Sequence, residues 1–326
     1  MFFSKENPEL ESRVLEYFKK IEEYNKEKCA GKLCVILLGS LSRGEGSWTY
    51  VSGKVKSLSD IEYFTVYPEG FSDFSGYTEF CKNAADKIFG KDNSSLFHID
   101  NTFVKRDRLP LLERKLITFD AKQMGKNVVG EGGVELLPDV NIKNINMRDI
   151  QEILVHRAFS VVYWGFSLKE EGKTEEYRYS LAKNSLDLMT VILMSRKILV
   201  SGFKNRLEEI KKLGLGMETE NYFSYCLSVK LSEESEFSFT TEQMEDIFTS
   251  LLKKAKREFK VPLKNAFINF KYVLKRNSGK IKRMLKYKFI PDFKHLGRLI
   301  YLLENKEKPT DREIKSNLVL HGYPVK

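Results

Sequence analysis

Three acidic residues have the type and spacing to do chemistry in this chain. Asp60 and Glu62 stand two apart in SLSDIEYFTVY, at the head of an apolar, partly β-branched run. On an extended strand, residues i and i+2 project from the same face, so both carboxylates point together. Two close anions repel unless a cation lies between them. Mg²⁺ suits that place because it is hard, prefers oxygen, and is held by one or two carboxylates plus substrate phosphates. A third acid, Asp100 in FHIDNTFV, completes a three-carboxylate set if its strand lies beside the first. Two metal ions on such a set activate an attacking hydroxyl and neutralise a leaving pyrophosphate.

Upstream, CVILLGSLSRGEGS (residues 34–47) runs from an apolar segment into Gly39-Ser40. A glycine there lets the backbone approach phosphates closely. The Ser40 hydroxyl and the amides at the following helix start would hold the β and γ phosphates of a nucleotide. Arg43, just past the turn, meets either a phosphate or solvent. His98, two residues before Asp100 and on the same strand face, touches substrate or simply packs. Taken alone, a Gly-Ser after a strand is usually only a turn, and Asp-x-Glu is usually solvated surface. Their order along the chain gives the combination its meaning.

Several elements must position these residues. Residues 8–28 begin with Pro8 and repeat apolar residues at steps of three and four, which predicts an amphipathic helix. The run LCVILL (33–38) predicts a buried strand. IEYFTVY (61–67), SLFHIDNTFV (95–104) and KLITFD (115–120) are further strand candidates, and 77–89 reads as a helix. Gly125, Gly130, Gly132 and Gly133 mark a loop. From about residue 147, long segments repeat apolar residues at helical spacing, which predicts a bundle. Residues 214–240 read as loop-rich, and 241–306 as helical again. The fold class expected is α+β, with a mixed-sheet domain over 1–145 and a helical domain over 146–326.

Strand, Gly-Ser turn, short helix, loop and Asp-x-Glu strand together resemble the nucleotidyltransferase fold of the DNA polymerase β superfamily. GSLSRGE followed by SDIEYFTV is particularly similar to its small-molecule branch, the aminoglycoside nucleotidyltransferases of the kanamycin type. LITFDAKQMGKNVVGEGG resembles the strand and glycine turn that close the catalytic domain. The resemblance covers about residues 30–135, and a helical bundle commonly follows. It implies transfer of a nucleoside monophosphate from an NTP to a hydroxyl, with Mg²⁺ and release of pyrophosphate. Carried over by position, Gly39 and Ser40 would bind triphosphate, Asp60 and Glu62 would ligate metal, and Asp100 would be the third carboxylate. Family members use a lysine from a bundle helix on the triphosphate. Lys183 in YRYSLAKNSLDLM is the candidate here, with Arg178 and Asn184 on the same helix and Tyr177 and Tyr179 as base-stacking or core residues. The chain departs from the pattern in two places. Ser40 and Asp60 are twenty positions apart, more than the family usually has, and the extra residues in GSWTYVSGKVKSLS read as a surface excursion. The glutamate base of the kanamycin-type helical domain has no match.

Composition sets bounds on these readings. The chain has 326 residues, room for about two domains, and its 42% hydrophobic and 31% charged residues describe a globular protein. The N-terminus lacks the basic and apolar regions of a signal peptide and no apolar run reaches a membrane span, so the expected place is the cytoplasm. Cys29, Cys34, Cys81 and Cys226 lack zinc-site spacing and read as reduced, structural thiols. The net charge of +10 is uneven: residues 251–300 hold 16 Lys or Arg against Glu258 and Asp292, a net +14, which leaves −4 on the rest. Basic residues interleaved with aromatic and aliphatic ones suit an anionic membrane surface, which would make the protein peripheral there. They suit a nucleic-acid backbone less well, and a solvated helix face is the more ordinary reading of such a segment.

The leading expectation is an Mg²⁺-dependent nucleotidyltransferase acting on a small-molecule or carbohydrate-like acceptor. Two rivals share the enzyme class: a second-messenger synthase that joins nucleotides to each other, and a protein AMP-transferase. A rival of another class is a noncatalytic protein that keeps the fold to hold nucleotide, RNA or a membrane partner.

Overall fold

The structure is a computed structural model that describes residues 1–51, 53–90, 98–259 and 293–305. Most of the basic segment 251–300 therefore lies outside the described residues. The chain forms two compact units.

The first unit is built on a four-stranded mixed sheet in the order β5-β4-β1-β6. Strand β1 (Cys34–Leu37) is buried on both faces, which is why its sequence is a continuous apolar run rather than an alternating one. It pairs antiparallel with β4 (Ile61–Tyr67) and with β6 (Lys126–Val129). Strand β5 (Ile99–Lys105) lies parallel to β4, with Glu62 opposite Asp100. One sheet face, carrying Val35, Leu37, Ile61 and Tyr63, packs on helix α1 (Pro8–Cys29) and helix α3 (Phe74–Phe89) through Leu10, Val14, Tyr17, Ile21, Tyr77 and Cys81. The other face carries Ile36, Leu38, Phe64, Val66 and Val104 against Leu109, Ala121 and Leu137. Each fully buried aliphatic side chain contributes roughly 1.5–3 kcal/mol. Helix α1 starts where expected, with Asn7 accepting from the Leu10 amide and Pro8 in the first turn.

Two expectations for this unit fail. KLITFD is not a strand: Leu116–Met124 is a helix, α4. Thr118, Phe119 and Ala121 are buried while Ile117 is exposed, which is a helical face and not an alternation. The glycine-marked loop contains β6, which runs between Gly125 and Gly130. The excursion between the turn and the acids also has its own structure. After the short helix α2 (Gly39–Ser42), strands β2 (Trp48–Val51) and β3 (Lys54–Ser57) form an antiparallel hairpin. Its root is closed by Leu58 N–H donating to the Ser47 carbonyl at 2.8 Å and Ser47 N–H donating to Ser59 Oγ at 3.0 Å.

The second unit is helical: α5 (Met147–Phe159), a π-helical turn (Ser160–Trp164), α6 (Gly165–Glu170), α7 (Thr174–Ser195), α8 (Phe203–Leu213), α9 (Met217–Leu231), α10 (Thr241–Glu258) and α11 (Phe293–Asn305). Its central helix, α7, is buried on most sides from Leu181 to Met194, and it packs on α5 and α10. Tyr222 and Ser185 share a 2.6 Å hydroxyl hydrogen bond within this core. A capping box of Thr240 and Gln243 starts α10. The expected loop over 214–240 is largely helix α9. Its buried Tyr222, Phe223, Cys226 and Leu231 are interleaved with polar residues in a way that hides the helical period.

The division differs from a single cut near residue 145. The first unit takes Met1–Asn146, but also Leu199–Glu208 and Ser228–Glu234, which include the start of α8 and the end of α9. No helix among the described residues is long and apolar enough to cross a membrane.

Candidate functional site

The site is assembled at the ends of β1, β4 and β5. Gly39, two residues past the end of β1 and first in α2, has φ +66°, a left-handed conformation that favours glycine. A Cβ at that position would sit 2.1 Å from Glu62 Oε2, so the Glu62 carboxylate lies where a side chain would be. The Leu38 N–H donates to the Glu62 carbonyl at 2.8 Å, which fixes this register. The hairpin explains how Ser40 and Asp60 can be twenty positions apart and still flank one site: its closed root takes the extra residues out and returns the chain to the same sheet edge.

The acids share one sheet face. Glu62 is directly opposite Asp100 across the parallel β4/β5 pair, and Asp60 precedes Glu62 by two. Asp60 Oδ1 accepts from the His98 backbone N–H at 2.9 Å, and Ile61 N–H donates to the His98 carbonyl at 2.9 Å. It is therefore the backbone of His98 that meets Asp60, while the residue itself is exposed. Asp100 is exposed and Glu62 half-buried. Among the described residues, no three His, Cys, Asp or Glu side chains gather closely enough to hold a metal ion. The backbone aligns the three carboxylates on one face without bringing their oxygens to one point.

Arg43 is not a surface arginine. Its side chain is 7% exposed, its Nε donates to Glu45 Oε2 at 2.7 Å, and Asp120 lies 3.8 Å from its Nη1. Burial opposes its charge, but Glu45, Asp120 and Glu62 more than offset that and hold the guanidinium above its ordinary pKa. A fixed positive charge thus stands beside Glu62, already engaged by two other acids. Ser40 is half-buried, and its carbonyl accepts from the Glu45 amide. Lys183 is half-buried on α7 of the second unit. On the same helix, Tyr177 and Tyr179 are 2% and 5% exposed. Tyr177 donates to Glu245, so both rings belong to the core and not to a base-stacking surface.

Four residues that sequence reasoning missed complete the ground beneath the acids. Glu45 Oε1 accepts from the Phe203 and Lys204 amides, capping the start of α8. Asp120 receives both oxygens' worth of contact from Arg206 Nη2, at 2.7 and 2.8 Å, and a bond from Ser201. Lys230, 1% exposed, donates to Ser47 Oγ at 2.9 Å and Ser59 Oγ at 3.0 Å. Arg206 in FKNRLEEIKKL and Lys230 in SVKLS look like ordinary helix-face cations, and no local signal separates them from their neighbours. Glu45 did carry a weak signal, as an acid between two glycines immediately after the turn.

No protein-family model matches this chain, and no curated protein matches it. Among solved structures, the chain is similar to spectinomycin adenyltransferase AAD(9) from Enterococcus faecialis, solved with ATP and spectinomycin. The identity is 14% and the TM-score 0.47, over 74% of this chain and 98% of that one. The roles assigned below rest on this chain's own residues.

Proposed function

We propose that this protein is an Mg²⁺-dependent nucleotidyltransferase, moving a nucleoside monophosphate from an NTP to a hydroxyl of a small-molecule or carbohydrate-like acceptor. One observation carries the reading: the Glu62 carboxylate is seated against side-chain-free, left-handed Gly39, with Asp100 opposite it in register. The turn suited to phosphate and the acids suited to metal meet at one sheet edge, despite the hairpin between them in sequence.

By residue type the donor set suits a hard divalent cation, because Asp60, Glu62 and Asp100 offer carboxylate oxygens from one face; these oxygens do not converge on one point, so a bound ion would have to draw them together. Asp60 and Glu62 would hold the ion, and Asp100 would complete the set. Bound Mg²⁺ would supply charge neutralisation at the phosphates and a more acidic acceptor hydroxyl. Gly39 leaves room at the turn where any other residue would collide with Glu62. Ser40 would contribute a hydroxyl to the triphosphate. Arg43, fixed between Glu45 and Asp120, would balance the negative charge of Glu62 and would not leave to grip a phosphate.

Incubation with the four NTPs, Mg²⁺ and a cell extract, followed by product mass spectrometry and a pyrophosphate assay, tests the reading. The expected result is pyrophosphate release with a nucleotide added to an acceptor, both lost in Asp60→Ala. A nucleotide-only product would move the assignment to a second-messenger synthase. Absence of pyrophosphate with every NTP, or activity that survives Asp60→Ala, would overturn it.

A further inference from the structure

We infer that Lys230 is a positioning residue for Asp60, acting through the root of the β2–β3 hairpin; the inference rests on the proposed metal-binding role of Asp60. Lys230 belongs to Ser228–Glu234, a short segment that joins the first unit from 170 positions further along the chain than Asp60. Its ammonium is 1% exposed and reaches three oxygens: Ser47 Oγ at 2.9 Å, Ser59 Oγ at 3.0 Å and the Glu45 carbonyl at 3.4 Å. Ser47 and Ser59 are themselves 0% and 2% exposed. These three oxygens mark the two ends of the excursion: Glu45 and Ser47 where the chain leaves the turn, and Ser59 where it returns.

A buried ammonium is costly unless each of its donors is used, and a site that uses all three resists distortion. The cage is closed by further bonds. Ser47 N–H and the Ser47 hydroxyl both meet Ser59 Oγ at 3.0 Å, while Ser57 Oγ donates to the Ser59 carbonyl at 2.7 Å and accepts from the Ser59 amide at 3.2 Å. Ser59 is thus held through its amide, its carbonyl and its hydroxyl. The next residue is Asp60, whose carboxylate is aimed by the His98 amide. Hairpin strands on their own are marginally stable and slide in register. Lys230 fixes the point at which this hairpin hands the chain to β4, and so fixes where the first carboxylate begins.

The test compares Lys230→Met, Ser59→Ala and the double variant with the parent full-length protein. Two readouts are used: Mn²⁺ affinity by electron paramagnetic resonance, and site-resolved deuterium exchange. Lys230→Met is expected to weaken Mn²⁺ binding about tenfold and to speed exchange selectively over residues 57–62. Ser59→Ala should do the same less strongly, and the double variant should be no worse than Lys230→Met alone. Where the parent shows pyrophosphate release, kcat should fall with the KM for NTP nearly unchanged. Unchanged Mn²⁺ affinity, or exchange that is unaltered or rises evenly over the first unit, would overturn the inference. If Lys230→Met does not fold, Ser59→Ala and Ser47→Ala carry the same two readouts. If the parent binds no Mn²⁺, the metal reading of Asp60 fails by itself, and the exchange pattern over 57–62 still decides whether Lys230 sets that backbone.

Discussion

Within the first unit, two sets of carboxylates live in opposite circumstances. Asp60, Glu62 and Asp100 sit at the sheet edge, partly or fully in solvent, aligned on one face by β4 and β5. Glu45 and Asp120 are sequestered, and Arg43, Arg206 and the start of α8 take up their charge. The first set is proposed to hold a cation; the second is spent on holding the chain. Residue type does not separate the two sets. Exposure does: Glu45 is 3% exposed, whereas Asp100 is exposed and Asp60 and Glu62 are half-buried.

The largest expected effect is on the exposed set. Glu62→Gln or Asp60→Asn should lower pyrophosphate release by about a thousandfold or more, because each removes an anionic ligand proposed to hold the cation at the reacting phosphates. Their melting temperatures should stay close to the parent's. A large stability loss in these variants would erase the contrast between the sets.

The buried set should respond in the reverse sense. Arg206→Met leaves Asp120 without its nearest cation, which should cost roughly 3–5 kcal/mol in urea unfolding. Adding Asp120→Leu to that variant should return part of the loss, since replacing both partners by apolar groups avoids a stranded charge. If Arg206→Met alone is neutral, the network is not what holds Leu199–Glu208 to the first unit.

Gly39 lies directly against the exposed set. Gly39→Ala should lose about 1–3 kcal/mol for a left-handed non-glycine residue, and should also push the Glu62 carboxylate aside. Its activity should therefore fall toward that of the Glu62 variants. Gly53→Ala is the matched control. It has φ +75° but nothing within 4 Å of its added carbon, so it should show the backbone cost alone and keep activity. Equal activity losses in both would mean that the Glu62 contact is irrelevant.

The effect confined to alkaline pH sharpens the comparison in the second unit, where burial acts on a group with no opposite charge. Burial pushes the Cys226 thiol up from 9.0 to about 12. Between those values the unfolded chain has lost the proton and the folded chain keeps it. This group's contribution to unfolding free energy should therefore be flat below pH 9 and fall as pH rises toward 12. Cys226→Ala should shallow that alkaline slope, measured by urea titration at fixed pH values. The buried tyrosines shift upward as well and will keep some slope in the variant.

Much of the first unit was legible because its signals are local. The β4 run IEYFTVY carries its own hydrophobic pattern and its own acids, and α1 announces its start with Asn7 and Pro8. The alignment of Glu62 with Asp100 followed from placing two strands side by side. KLITFD misled because β-branched residues next to Phe mimic a strand, whereas burial of 118, 119 and 121 is decided by the sheet the segment packs on. Arg206 and Lys230 were invisible for a different reason. What makes each special is a partner 86 or 171 positions away, and no periodicity records that. The burial of Arg43 has the same origin, because its engagement with Asp120 spans segments that look independent in sequence.

The hairpin between turn and acids begins and ends at hydrogen-bonded neighbours, Ser47 and Leu58, and its far end near Gly53 has open space around it. A detour that closes on itself can change length at its tip without moving the junction it leaves from. That tip is accordingly the place to splice a tag or fluorophore that would report on the protein from a short distance while leaving the sheet edge undisturbed.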